Sequence, residues 1–163
     1  LDNLEKFLEA WITDLNIPND INQAPRCPYA KSVWDNNRAK IVKCSNYNLS
    51  QFWAAVAEEC EGFNTHNNIT IVATDTIYDV HDVITGIDAL NIYLNVHNKD
   101  LWLLQSCNEL YSMVFIQKIT ELDDASKVLE KTAYYDQMRP TNFSKFVTYR
   151  RILRNNLRKE END

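Results

Sequence analysis

The sequence predicts an α/β (α+β) fold, a four-stranded mixed sheet with helices packed on it, and three observations carry that expectation. Two short β-branched segments, 39–44 and 68–73, flank a stretch of helical period from Asn48 to Phe63, and a strand-helix-strand order forms a crossover that sets its two strands parallel. Two continuous apolar runs, 101–105 and 113–117, lie a hairpin loop apart, so they should pair antiparallel. Helix-period segments open and close the chain, and their amphipathic faces need a sheet to cover them.

Leu1, Leu4, Phe7, Leu8, Trp11, Ile12 and Leu15 recur at three- and four-residue intervals and give the opening helix one apolar stripe. Pro18 stops it, because the residue before a proline avoids the helical region. From Asn19 to Asn37 runs a long connection in which Pro28 suits the first position of a short helix, with Cys27 as its N-cap. Asn48 and Gln51 form a capping-box pair for the helix whose expected buried stripe is Leu49, Phe52, Trp53, Val56, Ala57, Cys60 and Phe63, and Gly62 and Asn64 end it. After an acidic turn, Val80, Val83, Ile84, Ile87, Leu90 and Leu94 mark another helix; Ile92, Tyr93 and Val96 widen its apolar face, so this helix is expected to be covered on more than one side.

Beyond the hairpin, Thr120 is expected to cap a helix running toward Met138, with Leu122, Ala125, Val128 and Leu129 inward. Arg139-Pro140 breaks it, and a last, basic helix spans about 142–158. A ferredoxin-like variant is the leading version of this arrangement and a thioredoxin-like sheet the alternative, all 163 residues forming a single α/β domain.

Composition excludes several activities. Only Gly62 and Gly86 are present, so neither a dinucleotide fingerprint, a P-loop nor a Gly-flanked serine elbow can be built. The four cysteines stand far apart with no C-x-x-C pair, which excludes a zinc ribbon and gives no sign of a disulfide framework; a reducing, cytoplasmic compartment is expected. No apolar run approaches the roughly 20 residues of a membrane span, and no signal-peptide pattern is recognised. Nineteen asparagines beside abundant Ile, Lys and Asp match AT-rich coding DNA of microbial or viral kind.

Cys27 is the sharpest chemical candidate. Helix N-terminal amides stabilise a thiolate, and Arg26 and Lys31 would add to the effect, whereas the plainer role is a loop thiol fixed by Pro28. The turn from Asp75 to Asp82 gathers three carboxylates and His81; helix capping by Asp79 is preferred there to a metal site, and no metal or cofactor is expected. Charge is uneven: residues 1–138 carry ten Lys and Arg against twenty Asp and Glu, and residues 139–163 seven against three. Arg150, Arg151, Arg154 and Arg158 therefore make the last helix cationic, able to hold phosphates but preferably packed on the acidic body or another protein.

Cys27-Pro28-Tyr29-Ala30 resembles the glutaredoxin Cys-Pro-Tyr-Cys tetrapeptide without its second thiol, so dithiol exchange within this motif is impossible. More of the chain resembles a bacterial family of uncharacterised domains with an opening helix, a Cys-Pro-aromatic-Ala motif, an α/β body and a proline-containing segment before the final helix, here 135–140. Where that family carries a His-Pro element this chain has Ile116-Gln117-Lys118, so the resemblance implies architecture and not activity. The function expected is that of a small acidic accessory or protein-interaction module, with a protein partner or self-association through the helices after Thr120. The first alternative is a thiol-dependent enzyme using Cys27, assisted by Lys31 or Arg139 and with Tyr29 at the site; nucleic-acid binding ranks third, and no membrane partner is expected.

Overall fold

The structure, a computed structural model, describes residues 2–13, 28–64, 66–138 and 140–162. Its elements are α1 (Leu4–Thr13), α2 (Pro28–Asp35), β1 (Ala39–Cys44), α3 (Leu49–Glu61), β2 (Ile69–Thr74), α4 (Val80–Val96), β3 (Trp102–Cys107), β4 (Ser112–Gln117), α5 (Ile119–Glu130), a 3-10 turn (Tyr134–Gln137), α6 (Pro140–Phe143) and α7 (Tyr149–Asn162). The last two are joined by a π-helical segment, Ser144–Thr148.

The strands form the expected four-stranded mixed sheet, in the order β1-β2-β4-β3. β1 and β2 run parallel from Ala39 opposite Ile69 to Cys44 opposite Thr74, while β4 is antiparallel to both of its neighbours. Every residue of β2 and β4 is buried, as central strands covered on both faces require. From β2 the chain passes through α4 to β3 at the far edge, and β4 then returns into the place between them.

Strand alternation divides the core into two layers. Val72, Val114, Ile116 and Leu103 face α3 and α4, where Phe52, Val56, Val83 and Ile87 meet them. Ile69, Ile71, Ala73, Met113 and Phe115 face α1 and α2, and are met by Leu4, Leu8, Ile12 and Val33. Trp102, Ile119 and Leu122 make a smaller cluster joined by Leu153 of α7. Burying each such large side chain contributes about 1.5–3 kcal/mol.

Local chemistry sets the element ends. Asn48 and Gln51 close the capping box of α3 reciprocally at 2.9 Å, and the Asp79 side chain accepts the His81 N–H at 2.8 Å to cap α4. With so few glycines, asparagine takes the left-handed backbone positions: Asn37, Asn46 and Asn98 have φ of 54°, 59° and 55°. Asparagine tolerates this region better than other side chains. Gly86 has a different task. A Cβ there would stand 2.3 Å from the Trp53 ring, so its absence is what lets α4 close on α3.

The C-terminal third departs from the sequence expectations. Lys118, not Thr120, is the N-cap of α5 and supplies no side-chain bond. Thr120 lies inside the first turn because Asp100 binds both its N–H (3.0 Å) and its hydroxyl (2.6 Å). α5 stops at Glu130, well short of Met138. Val128 points to solvent, 63% exposed, since the sheet is reached only by the Ile119 and Leu122 side of the helix. α6 starts at Pro140, which fits a first helical position, so helix begins two residues before Asn142. On the outward face of α4, expected to be covered, Ile92, Tyr93 and Val96 are exposed.

Candidate functional site

The end of α2 that follows Cys27 is the place where chemistry was expected. Cys27 itself and Arg139 lie outside the described residues, as does Arg26. Tyr29, in the first turn of α2, donates its phenolic O–H to Glu121 Oε2 at 2.5 Å, and Asn68 Nδ2 donates to the same oxygen at 2.7 Å. Lys118 Nζ stands 3.9 Å from Glu121 Oε1. Three elements therefore converge on one carboxylate: α2, the start of β2 and the first turn of α5. The bond from Tyr29 ties α2 to the first turn of α5, and the bond from Asn68 ties the start of β2 to the same oxygen. Lys31, expected to support a thiolate, pairs with Asp35 at 2.6 Å along the surface of its own helix.

The remaining described thiols are poor nucleophiles. Burial, reinforced by Glu59 and Glu61, pushes Cys60 up to about 12. Cys44 and Cys107 are also raised, in both cases chiefly by burial. A thiol held protonated neither attacks nor binds a metal.

The basic helix turns Arg150, Arg151 and Arg154 onto the body. Arg150, 2% exposed, donates through Nε to Asp123 Oδ1 at 2.8 Å and through Nη2 to Ser126 Oγ at 2.9 Å. Burial pulls its guanidinium below the usual range, against the opposite pull of Asp123. Arg151 Nη1 meets Glu130 at 2.6 Å, a hydrogen bond that raises the arginine. Arg154 Nη1 lies 3.8 Å from Asp100 and 3.7 Å from Asp123. The spacing of these arginines was legible in the sequence; Asp123 and Glu130, more than twenty residues away, were not identified as their partners. The result is an electrostatic latch between α7 and α5 in which Arg150 and Arg151 are directed at carboxylates.

At the opposite end of the sheet the acidic turn uses Asp79 as a helix cap, with Asp82 in the first turn of α4. Among the described residues no group of three or more His, Cys, Asp and Glu is placed to hold a metal ion. Among them, too, no helix is long and apolar enough to cross a membrane.

The feature that sequence reasoning misread is the outer side of α4. Ile92, Tyr93 and Val96 are 45%, 58% and 54% exposed, and Ala89 is exposed beside them. Positions 89, 92, 93 and 96 have the i, i+3, i+4, i+7 spacing of a helix face that seats another surface. The inner side, with Val83, Ile87 and Leu94, is already sealed. The signal was present in the sequence as an apolar girdle too wide for one sheet contact. The Tyr93 ring also packs on His97, with centroids 4.3 Å apart.

Comparison with known proteins finds no matching family model, no matching curated protein and no matching solved structure.

Proposed function

We propose that this chain is a protein-interaction module whose docking surface is the outer face of α4. The observation that carries this is the run Ala89, Ile92, Tyr93 and Val96, apolar at helical spacing and uncovered on a helix whose other side is sealed. Isolated exposed apolar side chains are ordinary, but a contiguous set on one helix face marks an interaction site. An amphipathic helix laid along it, from a partner or a second copy, would bury the set by the helix-on-helix mode. The free thiols suit a reducing, cytoplasmic setting.

Light scattering after size exclusion, with a pull-down from the native host, tests the reading. Retention of a partner or a dimer that Tyr93→Lys abolishes, at unchanged folded spectrum, is the expected outcome. A lone monomer with no retained partner overturns it.

A second reading keeps Cys27 as the nucleophile of a thiol-dependent enzyme, and the observation favouring it is that α2 begins at Pro28, immediately after that cysteine. Iodoacetamide labelling against pH decides: an apparent pKa well below the free-thiol value of about 8.5 supports it, and a value at or above that removes it.

A further inference from the structure

Along the β3 edge, between α4 and α7, lies a cleft of about 170 Å³ lined mainly by Ile84, Ile87, Trp102, Leu104 and Tyr149. A space of that size admits one compact apolar group, since an apolar cavity of about 150 Å³ accepts benzene. The Asp88 carboxylate also lines it, and Asp88 has no ion pair among the described residues.

The strand edge in this cleft is occupied on either side of one position. Leu103 donates its N–H to Asn91 Oδ1 at 2.8 Å, and Asn91 Nδ2 donates to the Leu103 carbonyl at 2.9 Å, so a buried carboxamide imitates both bonds of a neighbouring strand. Cys107 donates its N–H to Gln105 Oε1 at 3.0 Å. Strand alternation turns the main-chain groups of Leu103, Gln105 and Cys107 the same way, away from β4. Among the described residues no hydrogen bond engages the Gln105 N–H or C=O, which lie between the Leu103 rung filled by Asn91 and the Cys107 N–H taken by Gln105 Oε1, and Gln105 lines the cleft.

We propose that this cleft takes an extended peptide by strand addition. The ligand residue opposite Gln105 exchanges two main-chain hydrogen bonds with it and sends a branched or aromatic side chain into the cavity. A lysine or arginine two residues away, on the same side of the extended ligand, meets Asp88. Charge supports a basic ligand, because Asp88 lines the cleft and the whole chain carries 17 Lys and Arg against 23 Asp and Glu. The inference deepens the interaction-module reading by naming the chemistry of one partner, but it uses a different surface.

The test is a titration of the ¹⁵N-labelled full chain with acetyl-Lys-Thr-Leu-Thr-amide, followed by amide NMR. The expected result is a saturable downfield shift of the Gln105 amide proton. Binding should weaken about tenfold or more, which is about 1.4 kcal/mol or more, when the leucine is N-methylated, when the peptide lysine is replaced by glutamate, or in Asp88→Lys. Tyr93→Lys, which removes the α4 surface, should leave the titration unchanged, so the two readings fail separately. The proposal is overturned if Gln105 does not shift up to the solubility limit of the peptide. It is overturned equally if the N-methylated peptide binds like its parent, if Tyr93→Lys abolishes binding, or if the Gln105 amide shifts with protein concentration alone because two copies pair at this edge.

Discussion

At the scale of single residues, a guanidinium as deeply buried as Arg150 is tolerable only while Asp123 and Ser126 meet it. Removing one partner leaves a charge stranded in low dielectric, whereas removing both leaves an apolar contact. Asp123→Ala should therefore lower unfolding free energy by about 3–5 kcal/mol, and Asp123→Leu with Arg150→Met should recover most of it; urea unfolding with unchanged m-value checks both. Cys60 makes a pH prediction. Its folded pKa of about 12 lies above the unfolded thiol value of about 8.5, so the unfolded chain releases its proton first. Stability is full below the unfolded pKa and falls as pH rises between these limits, with a slope of up to about 1.4 kcal/mol per pH unit. Cys44 and Cys107 act in the same direction. Urea midpoints measured against pH should flatten in Cys60→Ala. Sequence reasoning placed Cys60 on the buried side of its helix but did not find the partners of the arginines, because pairing across more than twenty residues leaves no local pattern to read.

At the scale of elements, α3 and the four strands were legible because their signals are local: a reciprocal capping box, β-branched runs, and hairpin spacing. α5 was misread for the complementary reason. Thr120 has the chemistry of a cap, but its hydroxyl belongs to Asp100, a partner from another part of the chain. The α4 surface was misread because periodicity reports how apolar a helix face is, not whether anything covers it. Gly86 tests the contact between α3 and α4. In an exposed helix Gly→Ala stabilises by about 1 kcal/mol. Here the added Cβ meets the Trp53 ring, so Gly86→Ala should destabilise by about 1–3 kcal/mol. In the background of Trp53→Leu the same change should turn neutral or favourable, as thermal melts of the four chains would show.

At the scale of the whole molecule, both sheet edges are guarded, by different means. β1 carries Lys40 and Lys43, each ion-paired to a helix residue, Glu59 and Glu5. β3 has the Asn91 plug, and its first residue, Trp102, packs against Tyr149 of α7. Charged and covered edges resist uncontrolled pairing with other chains, which leaves the rung at Gln105 as a restricted opening. Sheet pairing is non-local: Ile69 lies opposite Gln117. Refolding followed by stopped-flow tryptophan fluorescence should accordingly take about a millisecond or longer, slower than helical bundles of this size.

The insertion of β4 between β2 and β3 also governs how the protein emerges from the ribosome. Until Gln117 has left the exit tunnel, β2, whose six residues are all buried in the finished sheet, has a bare flank on the side that β4 will fill. A chain arrested in that interval is expected to be prone to aggregate, because the strand that covers this flank has yet to emerge.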